Sequence, residues 1–227
     1  TIVTLTGQKA GENIFFINPH CLNIARNHPV YAQILRDTRY VYPDGSGIVM
    51  ACQMLNTPLK ENVNGTDLFP KLCVEAEARQ LRLYLLGGRE GVAETMRQKL
   101  LVEYPRMQFA GVRHGFFKPE ELDQLIAEIN GAGADILLVA MGVPGQEIWL
   151  FEQRDKLTVP VRLGVGGLFD FYSGRIPRAP LWLREIGMEW TYRLLMEPTR
   201  MAKRYLIGNV VFLYQVMLEK RRRGRQS

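Results

Sequence analysis

The sequence predicts an α/β fold in which a mainly parallel sheet is flanked by helices and followed by a basic helical segment at the C-terminal end. Two observations carry this expectation. Short apolar runs at 14–17, 40–42, 81–86, 136–141 and 161–165 scarcely alternate, as strands buried on both faces should read. Between them lie stretches with helical period: 91–104 places Val92, Met96, Leu100 and Leu101 on one side, and 119–130 does the same with Leu122, Leu125, Ile126 and Ile129. Strands alternating with helices of this length argue for one Rossmann-like α/β layer structure.

In such sheets ligands bind beyond the carboxyl ends of the strands, so the residues after each run are the ones to inspect. Asn18 follows the first run and Pro43-Asp44-Gly45-Ser46-Gly47 the second. Asp44 has two readings, a helix-capping carboxylate or a general base, and both suit a carboxylate placed before glycines and a helix. Gly87-Gly88, with Gly91, follows the third run and opens a helix. It suits either a phosphate cradle or close helix-to-sheet packing. A dinucleotide site would need an acidic residue at the next strand end, but the run 107–112 ends in Arg113-His114, which argues against a nicotinamide cofactor. The fourth run exits into Gly142-Val143-Pro144-Gly145-Gln146-Glu147 and the fifth into Gly166-Gly167.

Other chemistries find little support. His20, His28 and His114 lack metal-ligand spacing, there is no Gly-x-Ser-x-Gly elbow, and no Asp-x-Asp occurs, so no metal or cofactor is expected. If a diphosphate is the leaving group, its charge must be met by helix ends and by arginines such as Arg175 and Arg178. Cys21, Cys52 and Cys73 are odd in number and widely spaced among apolar residues, which points to reduced thiols and a cytoplasmic setting. The chain starts at Thr1 with little before its first strand, so an N-terminal piece is expected to be missing.

The formal net charge of +6 is concentrated near the end, in Arg200, Lys203, Arg204, Lys220 to Arg223 and Arg225. A domain edge is placed at 195, with 1–195 as the α/β domain and 196–227 as an appendage. In 196–218 basic residues alternate with Met201, Tyr205, Leu206, Val210, Leu213, Tyr214 and Met217. This suits a helix lying on an anionic lipid surface, or else a terminal helix packed on the core with a solvated basic end. The apolar stretch 205–218 is too short and interrupted to span a bilayer. No nucleic-acid module precedes the arginine block, so no nucleic-acid partner is expected. An exposed apolar tail could equally serve a homo-oligomer contact.

The strand-exit residues, taken in order, resemble the bacterial WecG/TagA/CpsF glycosyltransferase family over roughly residues 15–198. The matching stretches are Asn18-Pro19; Pro43-Asp44-Gly45 with Gly47; Gly65-Thr66-Asp67; Leu85-Leu86-Gly87-Gly88; His114-Gly115-Phe116-Phe117; Gly142 to Glu147; Gly164 to Gly167 with Phe169-Asp170; Gly174-Arg175 with Arg178-Ala179-Pro180; and Glu189-Trp190 with Tyr192-Arg193-Leu194. The resemblance implies an inverting, metal-independent transferase. It would take a UDP-sugar and extend a polyprenyl-diphosphate-linked saccharide for surface polysaccharide or teichoic acid, at the inner face of the cytoplasmic membrane.

Within that frame Asp44 is the candidate base and Asn18 a partner for substrate hydroxyls. Gly45, Thr66, Asp67, Gly87, Gly88, Gly142, Pro144, Gln146, Glu147, Gly166 and Asp170 become candidate substrate-binding residues, and Arg175, Arg178 and Arg193 candidates for diphosphate charge. Phe16 stands where many members have Thr, and Asn62 where many have Arg. The donor is therefore left open between N-acetylmannosamine, its uronic acid and glucose. The rivals are a non-catalytic nucleotide-binding or scaffold protein and a sugar-nucleotide epimerase.

Overall fold

The computed structural model describes residues 1–8, 11–186 and 188–225, with side chains at 181, 185 and 200 left aside. Its strands are β1 (Glu12–Ile17), β2 (Tyr40–Pro43), β3 (Arg82–Gly87), β4 (Gln108–Arg113), β5 (Ile136–Ala140) and β6 (Val161–Gly164). They form one 6-stranded sheet in the order β2-β1-β6-β5-β3-β4. β1 pairs parallel with β6, β6 with β5, β5 with β3 and β3 with β4, as the expected Rossmann-like α/β class requires.

The chain divides into two compact units. The first comprises 1–15, 33–41 and 65–177 and contains most of the sheet. β5 is buried along its whole length and β3 everywhere beyond Arg82, which explains why neither sequence alternates. Leu125, Ile126 and Ile129, one face of the helix Leu122–Gly131, pack with Tyr84, Leu86, Leu137 and Val139 in the core of this unit. The expected helical stretch from 119 thus begins with a 3-10 turn, Pro119–Glu121, before the α-helix proper.

The second unit gathers 16–32, 42–64 and the described residues from 178 onward. Here the C-terminal segment runs as the helices Glu189–Met196 and Pro198–Ala202, a π-helical turn Lys203–Ile207, and the helix Gly208–Arg223. Phe212 and Val216 bury themselves against Ile48 and Ala51. The Asn23 side-chain amide donates to the Gly208 carbonyl at 2.7 Å, tying the helix Pro19–Asn27 to the same segment. The π-helical turn leaves Leu206 and Ile207 exposed, and the C-terminal helix leaves Val210, Val211, Tyr214, Met217 and Leu218 exposed. Among the described residues no helix is long and apolar enough to cross a membrane.

Candidate functional site

The ends of β1 and β2 are joined where the Asp44 N–H donates to the Ile17 carbonyl at 2.7 Å, so Asn18 and Asp44 lie side by side in the second unit. Asn18 has extended backbone and caps the helix Pro19–Asn27: its Oδ1 accepts from the N–H groups of His20 (3.1 Å) and Cys21 (3.3 Å). Capping uses the oxygen end of the amide. The nitrogen end is left as the donor, and it serves the Asp44 carboxyl.

Asp44 itself caps nothing. The N-cap of the helix Ser46–Met54 is Gly45, at φ 94°, with no side-chain cap bond. That left-handed conformation favours glycine. The Gly45 N–H is taken up by Asn62 Oδ1 at 3.0 Å, and the Val63 N–H by the Pro43 carbonyl at 2.9 Å, which holds the turn around Asp44 in place. Asn62, one of the two departures from the family pattern, therefore shapes the turn that carries the carboxylate.

Burial pushes the Asp44 carboxyl up to about 6; the Asn18 donation opposes this, Glu189 adds to it, and Arg204 and Arg193 pull the other way. A carboxylate poised there is mostly ionised at neutral pH yet basic enough to take a proton in a transition state. Burial, and then the charge of Arg204, lower His20 to about 4, so its imidazole stays neutral at pH 7. Arg204 projects from the π-helical turn, whose extra residue per turn re-aims side chains relative to a regular α-helix. Arg178 belongs to the same unit.

The remaining candidates lie in the first unit. Thr66 and Asp67 open the helix Gly65–Ala78, where the Thr66 carbonyl accepts from the Tyr172 hydroxyl at 3.3 Å. Gly87 is demanded by packing: a Cβ there would come within 2.5 Å of the Ala140 carbonyl oxygen. Gly88 donates its N–H to the same carbonyl at 2.9 Å, tying the exits of β3 and β5 together. Gly142 and Pro144 form the turn after β5 and lead into the helix Gly145–Glu152, whose first turn buries Gln146 and Glu147.

Gln146 spans to the next exit, since its Oε1 accepts the Gly166 N–H at 2.9 Å. Burial raises Glu147 to about 7, and the hydrogen bond from Gln146 opposes the rise. Asp170, in the helix Leu168–Tyr172, pairs with Arg175 at 2.6 Å. Arg175, read from sequence as a diphosphate cation, is thus already committed to another sequence-derived candidate.

Two residues whose charge acts on Asp44 were not singled out from sequence: Glu189 and Arg204. Glu189 stood in a matching stretch without a role, and Arg204 was counted with the basic tail. Among the described residues no group of three or more His, Cys, Asp or Glu could hold a metal ion.

Comparison with known proteins places this geometry in context. The model of the WecG/TagA/CpsF glycosyl transferase family matches residues 1–226. The N-acetylglucosaminyldiphosphoundecaprenol N-acetyl-beta-D-mannosaminyltransferase of Bacillus subtilis (strain 168) is 33% identical over 193 residues, 85% of this chain and 75% of that protein. The enzyme of the same name from Staphylococcus aureus (strain MW2) is 30% identical over 223 residues, 97% of this chain and 86% of its own length. A parallel sheet with polar strand exits, a carboxylate free of capping duty and a match along the chain agree, and the chain belongs to the WecG/TagA/CpsF family of glycosyltransferases.

Proposed function

We propose that this glycosyltransferase moves N-acetylmannosamine from its UDP derivative to N-acetylglucosamine carried on a polyprenyl diphosphate, with inversion and without a metal ion, in the assembly of a cell-surface polymer. The observation that carries the reading is the Asp44 carboxyl, raised to about 6, relieved of any capping role and held by the Asn18 amide. The names of the relatives supply the acceptor and sugar class.

In the reaction the acceptor hydroxyl oxygen attacks the anomeric carbon as the bond to UDP breaks on the opposite face. Asp44 takes the hydroxyl proton, and a single displacement inverts the centre. Arg204 and Arg193 favour the ionised carboxylate, against the larger effect of burial. Gly87, Gly88 and Gly166 remain the candidates for contact with the nucleotide. Phe16 and Asn62 keep the uronic acid and glucose derivatives in the donor panel.

The exposed stripe from Leu206 to Leu218 and the basic end at Lys220 to Arg225 support docking on anionic lipid at the cytoplasmic face of the membrane. Serine at Leu206, Val210 and Tyr214 is expected to abolish flotation with phosphatidylglycerol vesicles and leave UDP binding unchanged. Flotation that survives these changes overturns the docking.

The reaction is tested by UDP release from a panel of UDP-sugars with a short-chain polyprenyl-diphosphate N-acetylglucosamine acceptor. Acceptor-dependent release from the N-acetylmannosamine donor is expected. No release from any donor by folded protein sinks the reading.

A further inference from the structure

Two buried side chains connect the turn after β5 to the turn after β6. Gln146 is 2% exposed and Glu147 1%. The Gly166 N–H donates to Gln146 Oε1 at 2.9 Å, and Gln146 Nε2 donates to Glu147 Oε1 at 2.7 Å. An amide has one accepting and one donating end, so the carboxyl selects which end of Gln146 faces Gly166. The backbone of β6 leaves room for this amide: a Cβ on Gly164 would sit 3.0 Å from Gln146 Nε2.

Glu147 Oε2, meanwhile, is buried with no hydrogen-bond partner. A half-satisfied buried carboxyl is costly, and an apolar side chain of similar volume would fill the space better. Core packing therefore does not account for a glutamate here. Direct binding does not either, because the side chain has almost no surface to offer a ligand.

We infer that Glu147 is a positioning residue: it orients the Gln146 amide, which holds the Gly166 turn in the conformation that receives the sugar-nucleotide donor. The inference rests on the reading of the β6 exit as part of the donor site. Its consequences divide cleanly between two variants. Glu147→Gln keeps a carbonyl oxygen to accept from Gln146. Glu147→Met keeps the volume and removes the acceptor.

The test uses the full chain with both variants, Gln146→Ala, and the double variant Gln146→Ala/Glu147→Met. Amide hydrogen exchange is followed on a peptide spanning 164–168, together with steady-state transfer. Glu147→Met is expected to speed exchange at Gly166 and raise the donor KM, each about tenfold, the size of one lost buried hydrogen bond. The acceptor KM and kcat stay near the wild type. Glu147→Gln restores both readouts, and the double variant is no worse than Gln146→Ala alone, since the two residues act through one bond.

Unchanged exchange in Glu147→Met overturns the inference. So does faster exchange with an unchanged donor KM, or a fall in kcat alone. If the wild type is silent with every donor, the proposed reaction fails and the donor role with it. Exchange at Gly166 then still decides whether Glu147 holds the turn.

Discussion

Asp44→Asn is expected to lower transfer by about 10²–10⁴-fold, the span that general-base catalysis contributes, while UDP binding stays unchanged. The substitution keeps shape and still offers an oxygen to Asn18, so the loss reports the proton acceptor alone. In the wild type, kcat/KM rises with pH through about 6, where the carboxyl ionises, and then levels off. Asn18 sets the position of that limb. Its donation lowers the Asp44 pKa, so Asn18→Ala moves the limb to higher pH and costs about 1 kcal/mol through the lost helix cap. Asn18→Asp keeps the cap but faces Asp44 with a second carboxyl, which shifts the limb further up. An Asp44→Asn enzyme within tenfold of the wild type, or an Asn18→Ala profile that does not move, would falsify the assignment of Asp44 as base.

Stability against pH is the second large effect. Burial lifts Glu147 from 4.5 to about 7 and Asp44 from 3.8 to about 6. A carboxyl whose pKa is higher in the folded state binds its proton more tightly when folded. Its stabilising contribution is complete below the unfolded pKa and disappears as pH rises through the folded one. For Glu147 the loss between about pH 4.5 and pH 7 is on the order of 3 kcal/mol.

Glu147→Gln removes that titration. The variant should match the wild type in urea denaturation near pH 4.5 and exceed it at pH 8. The difference between the two proteins isolates Glu147 from carboxyls of opposite sign, such as Glu94, which Arg97 holds low. Parallel curves at all pH values would rule out a raised Glu147.

The strands were legible because a buried parallel strand is an uninterrupted apolar run, a signal contained in a few adjacent residues. β5 and β3 are the plainest cases. The helix Val92–Glu103 was legible for the same reason, with Met96 and Leu100 inward at helical spacing. Asp44 was not decidable in this way, because a capping carboxylate and a catalytic one need the same neighbours in sequence. Backbone geometry separated them: Gly45 occupies the cap position and leaves the Asp44 carboxyl to Asn18. Gly87 had a similar ambiguity, and the approach of Ala140 settles that close packing demands glycine there.

Local periodicity and an ordered set of strand-exit motifs were enough to specify the α/β class, the turns that face the carboxyl edge of the sheet, and the family. These properties depend on residues close together along the chain. Folding alone decided the order β2-β1-β6-β5-β3-β4, and it brought Glu189, Arg193 and Arg204 into electrostatic reach of Asp44. It also committed Arg175 to Asp170 and joined Gln146 to Gly166. Coulombic and hydrogen-bond energies depend on distance through space, and a stretch of sequence carries no record of which distant segment will come to lie against it.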